Sequence, residues 1–316
     1  NGEESTSRNR TKLPTICIAE LCEARVQLER GMGLYNPQRH RSPDSYAMYD
    51  AGVWCLSYGA VVLWMLGYPE QARQRSHEAL TLVQERAHPL DFARTLNTAA
   101  VLHQCRGETP AALARAQAFP QSAARGLILH GWGLAAQGQA EQRLAQMRQG
   151  IAALQEMGAE LNLPYLLALL AGAYGRRGRR AEAPAVVAEA LAIVERTGMR
   201  SCEAELRRLQ GEFLLGKAVG RASAPNRPVD ASALVGAESA AAPAAETCFR
   251  QALDVARRQR AKSWELRAAV SLSRLWQRQD KRDEARQLLA ESYGWFTEGF
   301  DTADLQEAKA LLDELP

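Results

Sequence analysis

The chain has 316 residues, of which 47% are hydrophobic, 24% are charged and only 6% are aromatic. Its wealth of Ala, Leu, Arg, Glu and Gln favours helices over strands. The 39 Lys and Arg residues nearly balance the 36 Asp and Glu residues, which excludes a sequence-wide attraction to nucleic acid or to an anionic membrane. We therefore expect an all-α protein with neither a membrane nor a nucleic acid as its partner.

The six cysteines are scattered, without a CxxC pair or a histidine at zinc-finger spacing, so the sequence predicts reduced thiols in the cytoplasm and no structural zinc. The most apolar run, residues 53–66, is shorter than the ~20 residues that span a bilayer. The chain opens on Asn1 without a signal sequence, and we expect it to be a piece of a longer polypeptide. No segment predicts a cofactor or a metal site.

Internal repetition is the main signal in the sequence. A glycine that could end one helix is followed five residues later by an alanine that could begin to pack the next. Small residues at these places let two antiparallel helices approach closely, and glycine adopts the left-handed backbone at a helix end. Full matches are Gly67 with Ala72, Gly107 with Ala112 and Gly178 with Ala183, and partial matches are Gly138 with Arg143 and Asp280 with Ala285.

This pattern resembles the tetratricopeptide repeat in a loose form, because the turns at residues 67, 107, 138 and 178 depart from a steady spacing of ~34. The resemblance implies a right-handed α-solenoid of helical hairpins, each of which would contact only its neighbours. We expect residues 1–19 to be a poorly patterned segment and residues 20–315 to be the repeat domain. A mobile insertion is expected at 216–245, which is rich in Ala, Pro, Gly and Ser, and a shortened helix at 111–125.

Four strings carry a more specific resemblance: LYNPQRHR from Leu34, CLSYGAVVLWMLGYPEQA from Cys55, FRQALDVARRQRAKSWELRAA from Phe249 and YGWFTEGFDTADLQEAKALLDEL from Tyr293. They look like the carboxy-terminal repeats of bacterial signalling proteins that join a class III adenylate or guanylate cyclase domain, or a kinase domain, to a predicted STAND- or AAA-type ATPase. The resemblance implies a regulatory arm, with any catalysis in upstream domains. It departs at residues 111–125 and 1–15.

Other motifs have a simpler interpretation. Residues 211–218 fit GxxxxGK but end in Ala218, follow a helix and carry large apolar side chains, so a phosphate site is not expected. The basic runs at 176–180 and 257–262 could contact phosphate, but cations at helix ends also complement the helix dipole. The loop at 37–41 could dock a neighbouring domain or be a solvated connector. The six tryptophans are expected in the hairpin cores.

These observations favour a non-catalytic scaffold whose concave surface, lined by the first helix of each hairpin, takes up a protein segment or an upstream domain of the same polypeptide. Candidate groove residues on first helices are Tyr58, Asn97, His103, His130 and Tyr174. Two alternatives stay open: a small-molecule sensor arm of a transcription regulator, and an enzyme with an unrecognised site. The sequence predicts neither the partner nor the oligomeric state.

Overall fold

The computed structural model describes residues 20–36, 50–86, 89–108, 124–125, 128–129, 140–176, 179, 181–222 and 231–315. Throughout these residues the regular structure is helical, with no strand, which confirms the all-α prediction. The helices are α1 (Leu21–Leu34), α2 (Ala51–Met65), α3 (Pro69–Arg86), α4 (Pro89–Cys105), α5 (Ala140–Glu156), α6 (Leu163–Arg176), α7 (Ala183–Thr197), α8 (Glu203–Ala222), α9 (Ala231–Gln259), α10 (Lys262–Arg278), α11 (Arg282–Gly294) and α12 (Ala303–Glu314).

The turns between helices repeat one hydrogen-bond pattern. Gly67 and Gly107 have φ of +91° and +77°, and at each turn the next amide bonds back five residues, from Tyr68 to Leu63 at 2.9 Å and from Glu108 to His103 at 2.8 Å. Asp280 holds the same left-handed conformation at +61°. This is the helix-ending geometry that satisfies orphan carbonyls, and it confirms the predicted turns at Gly67, Gly107 and Asp280.

Consecutive helices pack as hairpins, and first helices also contact one another. Helix α2 packs on both α3 and α4, α8 packs on both α9 and α10, and α10 packs on both α11 and α12. The alanines predicted at the contacts, Ala72, Ala183 and Ala285, are completely buried. Ala112 and the turn glycines Gly138 and Gly178 lie outside the described residues.

The predicted insertion at 216–245 is wrong in its extent. Residues 216–222 complete α8, and α9 begins at Ala231, so most of this segment is helical. The sequence interpretation grouped its alanines with Pro, Gly and Ser as the composition of a mobile segment, whereas Ala is the strongest helix former. Pro243 stands inside α9. Residues 223–230, between the two helices, lie outside the described part of the chain.

The expectation that each hairpin contacts only its neighbours is also wrong. Helix α10 packs on α2, almost 200 positions earlier in the chain. The Trp64 and Trp264 rings meet edge to face with centroids 4.8 Å apart, and both side chains are buried. Glu298 accepts hydrogen bonds from the amides of Glu70 and Gln71, at 2.9 and 3.1 Å, at the start of α3. The carboxy-terminal helices therefore close against the second and third.

A membrane-spanning helix is not found within the described ranges, since each helix there is too short or too polar to cross a bilayer.

Candidate functional site

A partly open cavity of about 600 Å³ lies between helices of the array. One wall is helix α2, through Trp54, Tyr58, Val61 and Met65, and a second is helix α4, from Arg94 to Cys105. The turn at 158–162 and the start of α6 form the third wall, with Ser201 and Cys202 beside them. Known small-molecule sites have volumes of ~300–1,000 Å³, so this cavity has the size of a ligand site.

Local sequence features hold the first two walls. Asp50 caps α2, since its carboxylate accepts from the amides of Gly52 and Val53 at 2.9 and 3.0 Å, and capping fixes where the helix starts. The Asp50 amide in turn donates to the carboxylate of Asp91, in the first turn of α4, at 3.1 Å. The amino-terminal ends of the two walls are thereby joined.

The cavity surface is mainly apolar, with aromatic side chains on two walls. The rings of Trp54 and Tyr58 lie 4.6 Å apart on α2. Tyr165 lines the cavity from α6. Its hydroxyl donates to the side-chain oxygen of Gln104 and lies 3.5 Å from the Cys105 sulphur. An apolar surface with a few placed polar groups is typical of small-molecule sites.

The two cysteines of the cavity are unsuited to nucleophilic chemistry. Burial raises the pKa of the Cys105 thiol to about 12, and burial likewise raises the pKa of Cys202 to about 12. The nucleophile is the thiolate, so both groups are neutral and unreactive near pH 7. Within the residues that the structure describes, no three His, Cys, Asp or Glu side chains converge in an arrangement that could hold a metal ion.

Three charged side chains line the described part of the cavity: Arg94, Arg125 and Glu160. Glu160 is in an ion pair with Arg196 at 2.7 Å. The Arg125 guanidinium donates to the backbone oxygen of Leu161 at 3.1 Å. Burial lowers the pKa of Arg125, and Arg94 acts in the same direction. Sequence reasoning missed Arg125, which it placed at the end of a shortened helix.

The structure brings together two of the predicted groove residues. Tyr58 and Asn97 both line the cavity. His103 lies near the end of α4 and pairs with Glu108 at 2.6 Å, and it is not among the described lining residues. Tyr174 is buried, with the Arg179 guanidinium 5.4 Å from its ring centre, so it is a core residue and not part of an open surface. His130 lies outside the described residues.

The remaining sequence motifs have structural roles where they are described. The GxxxxGK string is part of α8, and a side chain at Gly211 would come within 2.5 Å of Phe249, so this glycine permits close packing of α9. In the basic runs, Arg179 pairs with Glu182 at 2.6 Å and Arg257 pairs with Glu265 at 2.9 Å. The loop at 37–41 lies outside the described residues.

No family model matches the chain. An uncharacterized protein of Rhizobium meliloti is similar to it, with 26% identity over 207 residues. The match covers 60% of this chain and 20% of that protein, so the chain spans about a fifth of the length of the curated relative that it matches.

Proposed function

We propose that the chain is a non-catalytic regulatory repeat domain of a longer cytoplasmic signalling protein, and that it binds a small molecule in its inner cavity. The main observation that supports this proposal is the cavity of about 600 Å³ between α2, α4 and α6. Its three walls come from distant parts of the chain, so a bound molecule contacts them simultaneously and can alter how they pack. A ligand shifts a conformational equilibrium when it makes better contacts in one arrangement of the walls than in another.

The volume favours a small molecule over a protein helix. An α-helix with side chains is ~10 Å wide and rises ~5.4 Å per turn, so a cavity of 600 Å³ would hold little more than one turn. Peptide helices usually bind in open grooves, through side chains spread over two turns or more. A compact ligand of drug-like size fits the cavity better.

Helix α10 offers a path from the cavity to the rest of the array. Ser263 donates to the oxygen of Trp64 at 2.5 Å, Trp264 to that of Ser201 at 3.1 Å, and Arg267 to that of Cys105 at 2.8 Å. These three carbonyls belong to, or lie next to, the three walls. A ligand that separates the walls would therefore strain the hydrogen bonds of α10 and move the carboxy-terminal hairpin.

The tetratricopeptide-like character of the array is part of the proposal. Recurring helix-ending turns and contacts between successive first helices support it. The closing contact between α2 and α10 distinguishes this array from an open superhelix, in which repeats contact only their neighbours.

A second candidate is the docking of a protein segment, with another region of the same polypeptide as the partner. This candidate is favoured by the length of the Rhizobium meliloti relative, since the match covers only 20% of that protein. This partner would bind an outer surface, since the inner cavity is small. The resemblance to cyclase- and ATPase-linked repeats agrees with both candidates and leaves catalysis to other domains.

The test uses Nile red, an uncharged dye that fluoresces more strongly and at shorter wavelength in apolar surroundings. We expect saturable binding at about one dye per chain. Val101→Trp fills the cavity from α4 and should weaken the dye's affinity at least ~10-fold, because the indole occupies the ligand volume.

Val26→Trp is the matched control, since Val26 lies on α1 with 55% of its surface exposed. It should bind the dye like the wild type, and thermal melting should show that both variants are folded. Absence of saturable binding in the wild type, or equal binding by Val101→Trp, would refute a ligand-binding cavity.

A further inference from the structure

The position of Arg125 in the cavity wall is set by close backbone packing. A Cβ atom at Gly150 of α5 would lie 2.6 Å from the backbone oxygen of Ala124, so this glycine lets α5 approach the segment that carries Arg125. The nearby side chains of Ile128 and Leu129 are fully buried. Arg125 is thus held on a packed segment, and the residue is half-buried in the cavity wall.

The Arg125 guanidinium has an incomplete set of partners among the described residues. It forms no ion pair with a carboxylate there, and its buried Nε has no hydrogen-bond acceptor. Glu160, in the same wall, is in its ion pair with Arg196. A buried donor without an acceptor is destabilising, and more so when it is charged. An anionic acceptor in the cavity would remove that cost.

A second cavity shows how this protein treats structural arginines. This smaller space, of about 230 Å³, is lined by Glu205, Arg208, Arg267 and Asp304. There Arg208 pairs with Glu205 at 2.8 Å, and Arg267 pairs with Asp304 at 2.8 Å. Each of these buried cations faces a carboxylate of the chain itself, as stability requires. In the larger cavity no described carboxylate does this for Arg125.

We propose that the ligand is an amphiphile with a single carboxylate, which Arg125 binds, and an apolar body that lies against Trp54, Met65 and Val101. This inference rests on the proposed function. A carboxylate matches the planar guanidinium of Arg125. The apolar area and the volume of about 600 Å³ suit one aliphatic or aryl chain, and a polar metabolite such as a nucleotide would leave its donors unpaired there.

The experiment measures displacement of Nile red by decanoic acid and by methyl decanoate, below their aggregation limits at pH 7.5. The two probes share a chain and differ in charge. We expect the acid to bind about 10- to 100-fold more tightly than the ester, which corresponds to one charge-assisted hydrogen-bonded pair. This comparison needs only the wild-type chain.

Variants assign the difference to Arg125. Arg125→Gln should remove most of the acid's higher affinity and leave the ester's affinity within about 2-fold of the wild-type value. Arg125→Lys should restore part of the acid's higher affinity. Arg148→Gln is the control, because Arg148 is exposed on α5 and does not line the cavity; it should leave both affinities unchanged.

The outcomes separate the ligand class from the cavity's function. If Nile red binds in the cavity but acid and ester displace it equally, or neither does, the carboxylate proposal is overturned and the binding function stands. An acid preference that persists in a folded Arg125→Gln variant also overturns it. Loss of Nile red binding itself would be the failure of the proposed function.

Discussion

The hydroxyl of Ser263, in the first turn of α10, donates a hydrogen bond of 2.5 Å to the backbone oxygen of Trp64, at the end of α2. Both groups are buried, and the two residues stand 199 positions apart in the chain. Because the carbonyl lies at a helix end, it has a lone pair to spare for this bond. The contact joins the two helices that close the array.

Ser263→Ala should therefore lower the free energy of unfolding by about 1 kcal/mol, because a long-range buried hydrogen bond is lost while the Trp64 oxygen keeps its bond from the Gly67 amide at 3.0 Å. The matched control is Ser292→Ala, since Ser292 is equally buried but donates to Leu288 within its own helix; a local bond of this kind contributes little. Urea unfolding followed by circular dichroism measures both. A Ser263→Ala midpoint equal to that of Ser292→Ala would contradict a stabilising role for this closure.

The sequence predicts the local parts of this fold well. Gly67 and Gly107 are recognisable as helix ends because a left-handed backbone favours glycine. Ala72 and Ala285 are recognisable as contact points between helices because a close approach requires a small side chain. Helicity at residues 231–245 was missed because the alanines there were grouped with Pro, Gly and Ser as typical of a mobile segment, although Ala strongly favours helix.

Long-range relationships have no such local signal. No spacing rule connects Ser263 with Trp64, so the closed array could not be predicted from hairpin periodicity. For the candidate site, Tyr58 and Asn97 follow from their places on first helices, whereas the burial of Arg125 depends on packing between distant segments. The sequence around Arg125 gives no signal that this charged side chain will be partly buried.

The turns provide a test of backbone strain in both directions. Gly107 has φ of +77°, and a Cβ atom there would come within 2.6 Å of Ala303, so Gly107→Ala should destabilise the fold by at least ~1–2 kcal/mol. Asp280 has φ of +61° and an exposed side chain, so Asp280→Gly should stabilise it by about 0.5–1 kcal/mol. Thermal melting of the two variants checks these opposite signs, and a lower melting temperature for Asp280→Gly would contradict the strain argument.

The loss of folding stability at acidic pH should arise in part from protonation of Glu205. Burial alone would raise the pKa of this carboxyl, but Arg208 and Arg267 outweigh burial and lower it. A lowered pKa in the folded state stabilises the protein above the unfolded-state value of ~4.3, and the stabilisation is lost as pH falls through the folded-state pKa. Glu205→Gln should cost about 2 kcal/mol at pH 7, because Arg208 loses the nearer of two carboxylate partners and keeps only Glu212, at 3.5 Å.

The difference between wild type and Glu205→Gln should shrink as the pH is lowered below about 4, where the wild-type carboxyl also becomes protonated. Urea midpoints at several pH values measure this convergence. Glu85→Gln serves as the control because Glu85 is exposed on α3, and it should match the wild type throughout. A constant difference between Glu205→Gln and wild type down to pH 3 would be evidence against a pKa-linked contribution.

Thiol alkylation reports whether the cavity opens. Since burial raises the pKa values of Cys105 and Cys202 to about 12, the thiolate fraction of each at pH 8 is only ~10⁻⁴. Cys22, on α1, is partly exposed. Iodoacetamide at pH 8, with peptide mass spectrometry, should therefore label Cys22 well before either cavity thiol, and the two should react quickly only in urea. Alkylation of Cys105 or Cys202 in the native chain at the rate of Cys22 would mean that the walls separate readily.

Decanoic acid that slows the labelling of Cys105 and Cys202 without changing that of Cys22 would place the ligand between those walls, because only a molecule inside the cavity shields both thiols.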